Sequence, residues 1–214
     1  MSLSAEWPRI LHLLSLPPEP AVLVAAPDSA DVMQALAAVR PRAGVTLLDV
    51  TPQPRPAAAA PVVHRIPLIS GRDLDLAERS LDLAVFDHAI DDIVVEAVAH
   101  HEGIHLDPHG DRGQYSPRPR ALRAYWRSGD LEAVAAPALV RVVQSCLRAL
   151  RPSGRMVFHH HVAEAHLVAG HPFDLYTEYL PLARRWIADA GIDLREIALD
   201  SFDQAWWMCL ERAA

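Results

Sequence analysis

A chain of 214 residues that is 51% hydrophobic and 22% charged has the size of one α/β domain and ample material for a buried core, which excludes disordered and fibrous classes. A formal net charge of −7 argues against general nucleic-acid binding, because phosphate neutralisation needs a basic surface. The two cysteines, Cys146 and Cys209, lie far apart, so a disulfide scaffold is not expected and a reducing cytoplasm is the natural compartment.

Residues 1–16 contain an apolar stretch without a basic segment before it, and His12 interrupts the run, so they do not read as a signal peptide. No uninterrupted apolar segment has the length a bilayer demands. Trp7, Ile10, Leu11 and Leu14 recur at helical spacing over residues 4–15, and Pro17, Pro18 and Pro20 stop that helix. Residues 21–26 form a short continuous apolar run, suited to a strand buried on both faces. A turn at 27–29 leads to a helix over 30–40, with Val32, Leu36 and Val39 on one stripe, and then to a second buried strand over 45–50.

The Pro/Ala-rich stretch 51–61 reads as a stiff connection. Residues 62–69 form a third strand weakened by Pro67, and 81–86 a fourth that ends in Asp87 and His88. Helical spacing returns over 90–100, followed by irregular composition through 101–130. The clearest amphipathic helix spans 131–150, stopped by Arg151, Pro152, Ser153 and Gly154. A fifth strand over 155–159, a helix over 175–190 and two strand-like runs at 194–199 and 205–210 close the chain. Trp206 and Trp207 are expected in the core or an interface, one on each face of a regular strand.

The order of these elements resembles the class I S-adenosylmethionine-dependent methyltransferases. The stretch CLRALRPSGRMVF, residues 146–158, is similar to the family's helix, L-x-P-G-G turn and following strand, with Ser153 where a first glycine is usual. SLDLAVFD, residues 80–87, resembles its fourth strand, and residues 186–191 with the two terminal runs resemble its last helix and closing antiparallel hairpin. The likeness spans about residues 20–212. It implies a mostly parallel Rossmann-like α/β sheet, helices on both faces, and a C-terminal antiparallel hairpin. It further implies one methyltransferase-like domain over 1–214 with S-adenosylmethionine as cofactor. The length and the Gly, Pro and Arg content of about 101–130, after the fourth strand, suit a lid inserted in that domain. The turn after the first strand, AAPDSA at 25–30, lacks the family's glycines, so this cofactor motif is degenerate.

In an open parallel sheet, ligands gather beyond the carboxyl ends of the strands. The resemblance places the cofactor against Ala25, Ala26 and Asp28 in the first turn and against Asp87. It gives Asp49 the ribose hydroxyls, which a carboxylate can accept together, and Asp73 the adenine amine, with Asp75 as the nearby alternative. His88 is the candidate general base, and Asp87 can hold its tautomer if the strand has already ended there. Asp91 and Asp92 suit the N-terminus of the next helix. Arginines and aromatics over 112–127 nominate Tyr115, Arg123 and Trp126 to close over a small-molecule substrate, with His159 on the substrate side.

His101 and His105 match the H-E-x-x-H spacing of zinc hydrolases, but Gly103 and Pro108 undermine the helix that pattern requires. No metal ligand is therefore assigned, although His109 and His159–His161 add further imidazoles. The leading expectation is a methyltransferase-like enzyme acting on a small molecule, without general nucleic-acid or membrane partners and with a homodimer as a compatible assembly. The alternatives are an inactive binding or scaffold protein of the same fold, and a metal-dependent hydrolase built on the histidines.

Overall fold

The computed structural model describes residues 6–25, 30–49, 62–67, 72–104, 117–161 and 173–212. Its elements run α1 (Glu6–Leu13), β1 (Ala21–Ala25), α2 (Ala30–Val39), β2 (Gly44–Asp49), β3 (Val62–Pro67), β4 (Leu81–Asp87), α3 (Ala89–His101), α4 (Pro117–Ser128), α5 (Leu131–Ala149), β5 (Leu150–His159), α6 (Phe173–Asp189), β6 (Leu194–Ile197) and β7 (Trp207–Arg212).

The seven strands form one sheet in the order β3-β2-β1-β4-β5-β7-β6. Strands β1 to β5 are parallel, while β7 runs antiparallel to both β5 and β6. The chain enters the sheet at β1, moves outward through β2 and β3, then returns to place β4 on the other side of β1. That reversal is a topological switch point, the position at which open α/β sheets commonly bind ligands beyond the carboxyl ends of their strands. The expected mostly parallel sheet with a C-terminal antiparallel hairpin is the observed one.

Period-two alternation divides the core into two layers. Leu23, Ala84, Phe86, Met156 and Phe158 face α3, α5 and α6. Val22, Val24, Leu83, Val85 and Val157 face α1 and α2. Continuous burial on both sides explains why β1 and β4 read as unbroken apolar runs. Phe86 and Phe158 are register partners on neighbouring strands, and their rings stack at 4.4 Å. Leu131, Ala135, Leu139, Val142 and Cys146 make the buried stripe of α5. Among the described residues, no helix is long and apolar enough to cross a membrane.

Three local differences from the sequence expectations have physical reasons. First, β5 begins at Leu150, directly after α5, but its pairing with β4 jumps from Leu81↔Leu150 to Leu83↔Arg155. The expected Arg151–Gly154 turn is thus a bulge within the strand. Gly154 fits closely there: a Cβ would lie 2.9 Å from a Leu150 methyl and 3.1 Å from the Leu81 carbonyl oxygen, so its neighbours would have to shift. Second, residues 117–128, expected to be irregular, form α4, which packs on α3 and α5 through the buried Leu122. Its prolines stand in the first turn, where a missing N–H costs nothing. Third, β7 begins only at Trp207, so alternation does not separate the two tryptophans, and Trp206 packs against the same layer as Trp207.

Both cysteines are buried, and burial pushes each thiol up to about 12. They stay protonated at neutral pH and make poor nucleophiles or metal ligands. Ellman's reagent should therefore leave the native protein unmodified and react with two thiols after denaturation. Rapid native labelling would contradict this packing.

Candidate active site

The parallel register aligns Asp87 of β4 with His159 of β5, so both side chains emerge on the same sheet face. There a carboxylate oxygen of Asp87 lies 2.7 Å from His159 Nδ1. Both groups are almost fully buried, at 2% exposure each. The opposite face of the His159 ring is filled by the Trp207 indole, stacked at 4.1 Å, and Trp7 of α1 packs edge-on at 5.8 Å. Trp207 also donates its indole N–H to Glu6 at 3.2 Å. Aromatic packing and the Asp87 bond together hold His159 in one orientation. Its second ring nitrogen, Nε2, is buried and has no hydrogen-bond partner among the described residues.

Strand alternation also divides the three consecutive histidines. The His161 ring returns to the His159 side and lies 5.1 Å from it. His160 points into the other layer, stacked on Tyr176 at 5.3 Å and edge-on to Tyr179 at 5.0 Å. Burial, then the nearby Asp91, pushes both phenols well above their ordinary value. Tyr176 is thus a neutral donor, and its hydroxyl bonds Asp91 at 2.9 Å. Asp91 stands in the first turn of α3, as expected for an acidic residue, and is also a buried acceptor for α6.

His88 sits where β4 gives way to α3, with φ 55° and ψ 21°. Such left-handed geometry costs a non-glycine residue roughly 1–2 kcal/mol, and the N–H of His88 is fixed by a 2.9 Å bond to the His159 carbonyl. The turn lets successive side chains of Asp87 and His88 reach one edge of the sheet, which an extended strand forbids. Its ring lies 5.0, 5.2 and 4.6 Å from those of His159, His160 and His161. One ring nitrogen each from His88, His159 and His161 falls within 4.8 Å of the others. Sequence reasoning named Asp87, His88 and His159 and set Asp87 to hold the tautomer of His88; the strand register gives Asp87 a bond to His159, which that reasoning did not pair with it. His159–His161 were expected together at this strand end; the signal that singles out His161 as the partner of His159 is their i, i+2 spacing.

Other expected residues are distributed differently. Ala25 closes β1 and is fully buried, and Asp49 closes β2 one residue beyond the Ala25↔Leu48 pair. Asp73 is exposed and ion-paired with Arg148 at 2.7 Å, near the end of α5. The adjoining Leu74 N–H bonds Ser145 of α5, which anchors this segment at the amino edge, opposite Asp87. Trp126 lies on α4 and donates its indole N–H to Asp174 at 2.7 Å, with Arg123 one turn earlier. His101 ends α3, exposed, with its ring against Tyr125. Ala26, Asp28, Tyr115, His105 and His109 lie outside the described residues.

The deciding feature is topological: five parallel strands, a switch point between β1 and β4, and β7 inserted antiparallel between β5 and β6. This is a Rossmann-like methyltransferase fold. Among solved structures, the pyocyanin biosynthetic protein PhzM matches with a TM-score of 0.50 and 13% identity, over 97% of this chain and 54% of that one. A SAM-dependent methyltransferase from Aquifex aeolicus matches at 0.46 and 10%, over 96% and 87% of the two chains. CalO1, a methyltransferase of calicheamicin biosynthesis solved with SAH bound, matches at 0.43 and 11%, over 98% and 54%. The chain spans about half the length of PhzM and CalO1. No family model and no curated protein matches the sequence. The methyltransferase fold therefore rests on architecture.

Proposed function

We propose that this chain is an S-adenosylmethionine-dependent methyltransferase acting on a small molecule. The observation that carries the reading is the buried Asp87–His159 pair with His88 beside it, at the carboxyl end of β4 and next to the switch point of this fold. Polar groups buried at a ligand-binding edge of a sheet are costly to maintain without a task.

The donor set at the exit of β1 and β2 fits the cofactor. Asp49 ends β2, one position beyond the Ala25↔Leu48 pair, and its residue type suits paired hydroxyls. Ala26 and Asp28 complete that turn in the proposal, and Asp87 borders it from β4. When bound, S-adenosylmethionine supplies an electrophilic methyl group on a sulfonium. The protein's own work is alignment and proton removal. His88 takes a proton from the substrate's attacking hydroxyl or amine. Asp87 keeps His159 in one tautomer, with Nδ1–H directed at the carboxylate and Nε2 as the open acceptor. In this reading Arg123 and Trp126 of α4 contact the substrate, and Tyr115, outside the described residues, is assigned the same role. Arg123 would hold an anionic group, and the aromatics would exclude water.

Titration calorimetry with S-adenosylmethionine and S-adenosylhomocysteine tests the reading. Asp49→Ala should weaken binding by about 1.5–3 kcal/mol, or roughly 10–150-fold, as for loss of a charged hydrogen-bond partner. Absence of binding by the wild-type protein would shift the assignment to a binding or scaffold role.

A further inference from the structure

We infer that His88, His159 and His161 form a binding site for a late first-row divalent cation of the zinc class, with a coordination position left open. The inference rests on these three side chains and their support and does not require cofactor binding. An ion held by His88 would occupy the ring nitrogen that serves as base in the proposed function, so that base role belongs to the metal-free protein.

Three imidazole nitrogens within 4.8 Å of one another make a donor set of matched chemistry, suited to zinc, cobalt, nickel or copper rather than to magnesium or calcium. A tetrahedral ion with nitrogens at about 2.0–2.1 Å separates its ligand atoms by roughly 3.4 Å. Closing from 4.8 Å thus needs shifts of little more than about 1 Å. Rotation of the half-buried His88 and His161 side chains can supply these, leaving the strands in place.

The strongest support comes from His159. Metal-binding histidines commonly donate their second ring N–H to a carboxylate, which fixes the tautomer and raises the basicity of the ligating nitrogen. Asp87 occupies that position at 2.7 Å from His159 Nδ1. The nitrogen left for an ion is Nε2, on a ring with 3% side-chain exposure and with no hydrogen-bond partner among the described residues. Trp207 and Trp7 lock the ring in place, as a rigid ligand requires. His160, facing Tyr176 and Tyr179 in the other layer, is not part of the set. Three protein ligands leave a fourth position, which suits a water or an oxygen of an anionic or hydroxylated ligand.

The test uses untagged, metal-stripped full-length protein, titrated with Zn²⁺ by calorimetry and with Co²⁺ by visible absorption. One equivalent of each ion should bind, and cobalt should give the intense bands of a tetrahedral nitrogen site. Asp87→Asn should weaken binding roughly 10–100-fold, the range for loss of a carboxylate behind a ligating histidine. His161→Ala, at a half-buried residue beyond the end of β5, should fold normally by circular dichroism, bind more weakly still and lose the cobalt bands. His12→Ala, on the exposed side of α1, should change neither reading. No saturable binding by the wild-type chain would overturn the site, as would full retention of the cobalt spectrum in His161→Ala. A protein that binds S-adenosylmethionine but no metal refutes this site alone, and the reverse result refutes the methyltransferase reading alone.

Discussion

His88→Ala is expected to lower methyl-transfer turnover about 10²–10⁴-fold, the range usual for loss of a general base, while S-adenosylmethionine affinity stays unchanged. The separation follows from position. His88 stands at the β4–α3 junction among the rings of His159 and His161, whereas the ribose-binding carboxylate is proposed at the end of β2. Alanine shares the steric cost of the left-handed backbone at φ 55°, so the substitution removes the imidazole without changing that strain. Thermal stability should move little, and the deficit should appear in kcat. Turnover within a factor of about three of wild type, well below the usual effect of a lost base, would remove His88 from the chemistry. A loss confined to KM would instead mark it as a binding group.

Trp207→Ala should destabilise the fold by about 3–5 kcal/mol in urea denaturation, the range for truncating a buried large aromatic. Trp207 is 3% exposed and contacts His159, Trp7 and Phe202 through ring faces or edges. It also ties α1 to β7 through Glu6, two elements about 200 residues apart in sequence. Removing it opens a cavity beside a buried histidine and frees the N-terminal helix. Trp207→Phe should recover much of the loss, since it keeps an aromatic body and forfeits one hydrogen bond. A cost below about 1 kcal/mol for the alanine variant would show that the aromatic cluster is dispensable. The same substitution should loosen His159, so any metal affinity should fall with it.

Much of this architecture is legible in the amino-acid order because burial imposes period. The apolar runs at 21–25 and 81–86 could only be strands covered on both sides, and the stripe Leu131, Ala135, Leu139, Val142 could only be a helix on a sheet. Two strand-like runs after Gly191, with no helix between them, already implied an antiparallel close, since a parallel pair needs a long crossover. The carboxyl-edge positions of Asp87, His88 and His159 followed from the same strand assignments.

Composition misled at residues 117–128, where arginines and prolines conceal a helix whose prolines fall harmlessly in its first turn. Nor could it foresee the contacts of residues 73 and 74 with Arg148 and Ser145 of α5, which join segments more than 70 positions apart. The decisive partnership was beyond local pattern altogether. Asp87 and His159 are 72 positions apart, and they meet only because β4 and β5 pair in a register that a single-residue slip would turn to opposite faces. Outside residues 117–128, sequence by itself determined which described segments are strands and helices and which polar residues end them, since those depend on local periodicity and steric limits. Tertiary structure alone decided that His88, His159 and His161 converge, because that depends on strand order, register and one left-handed turn.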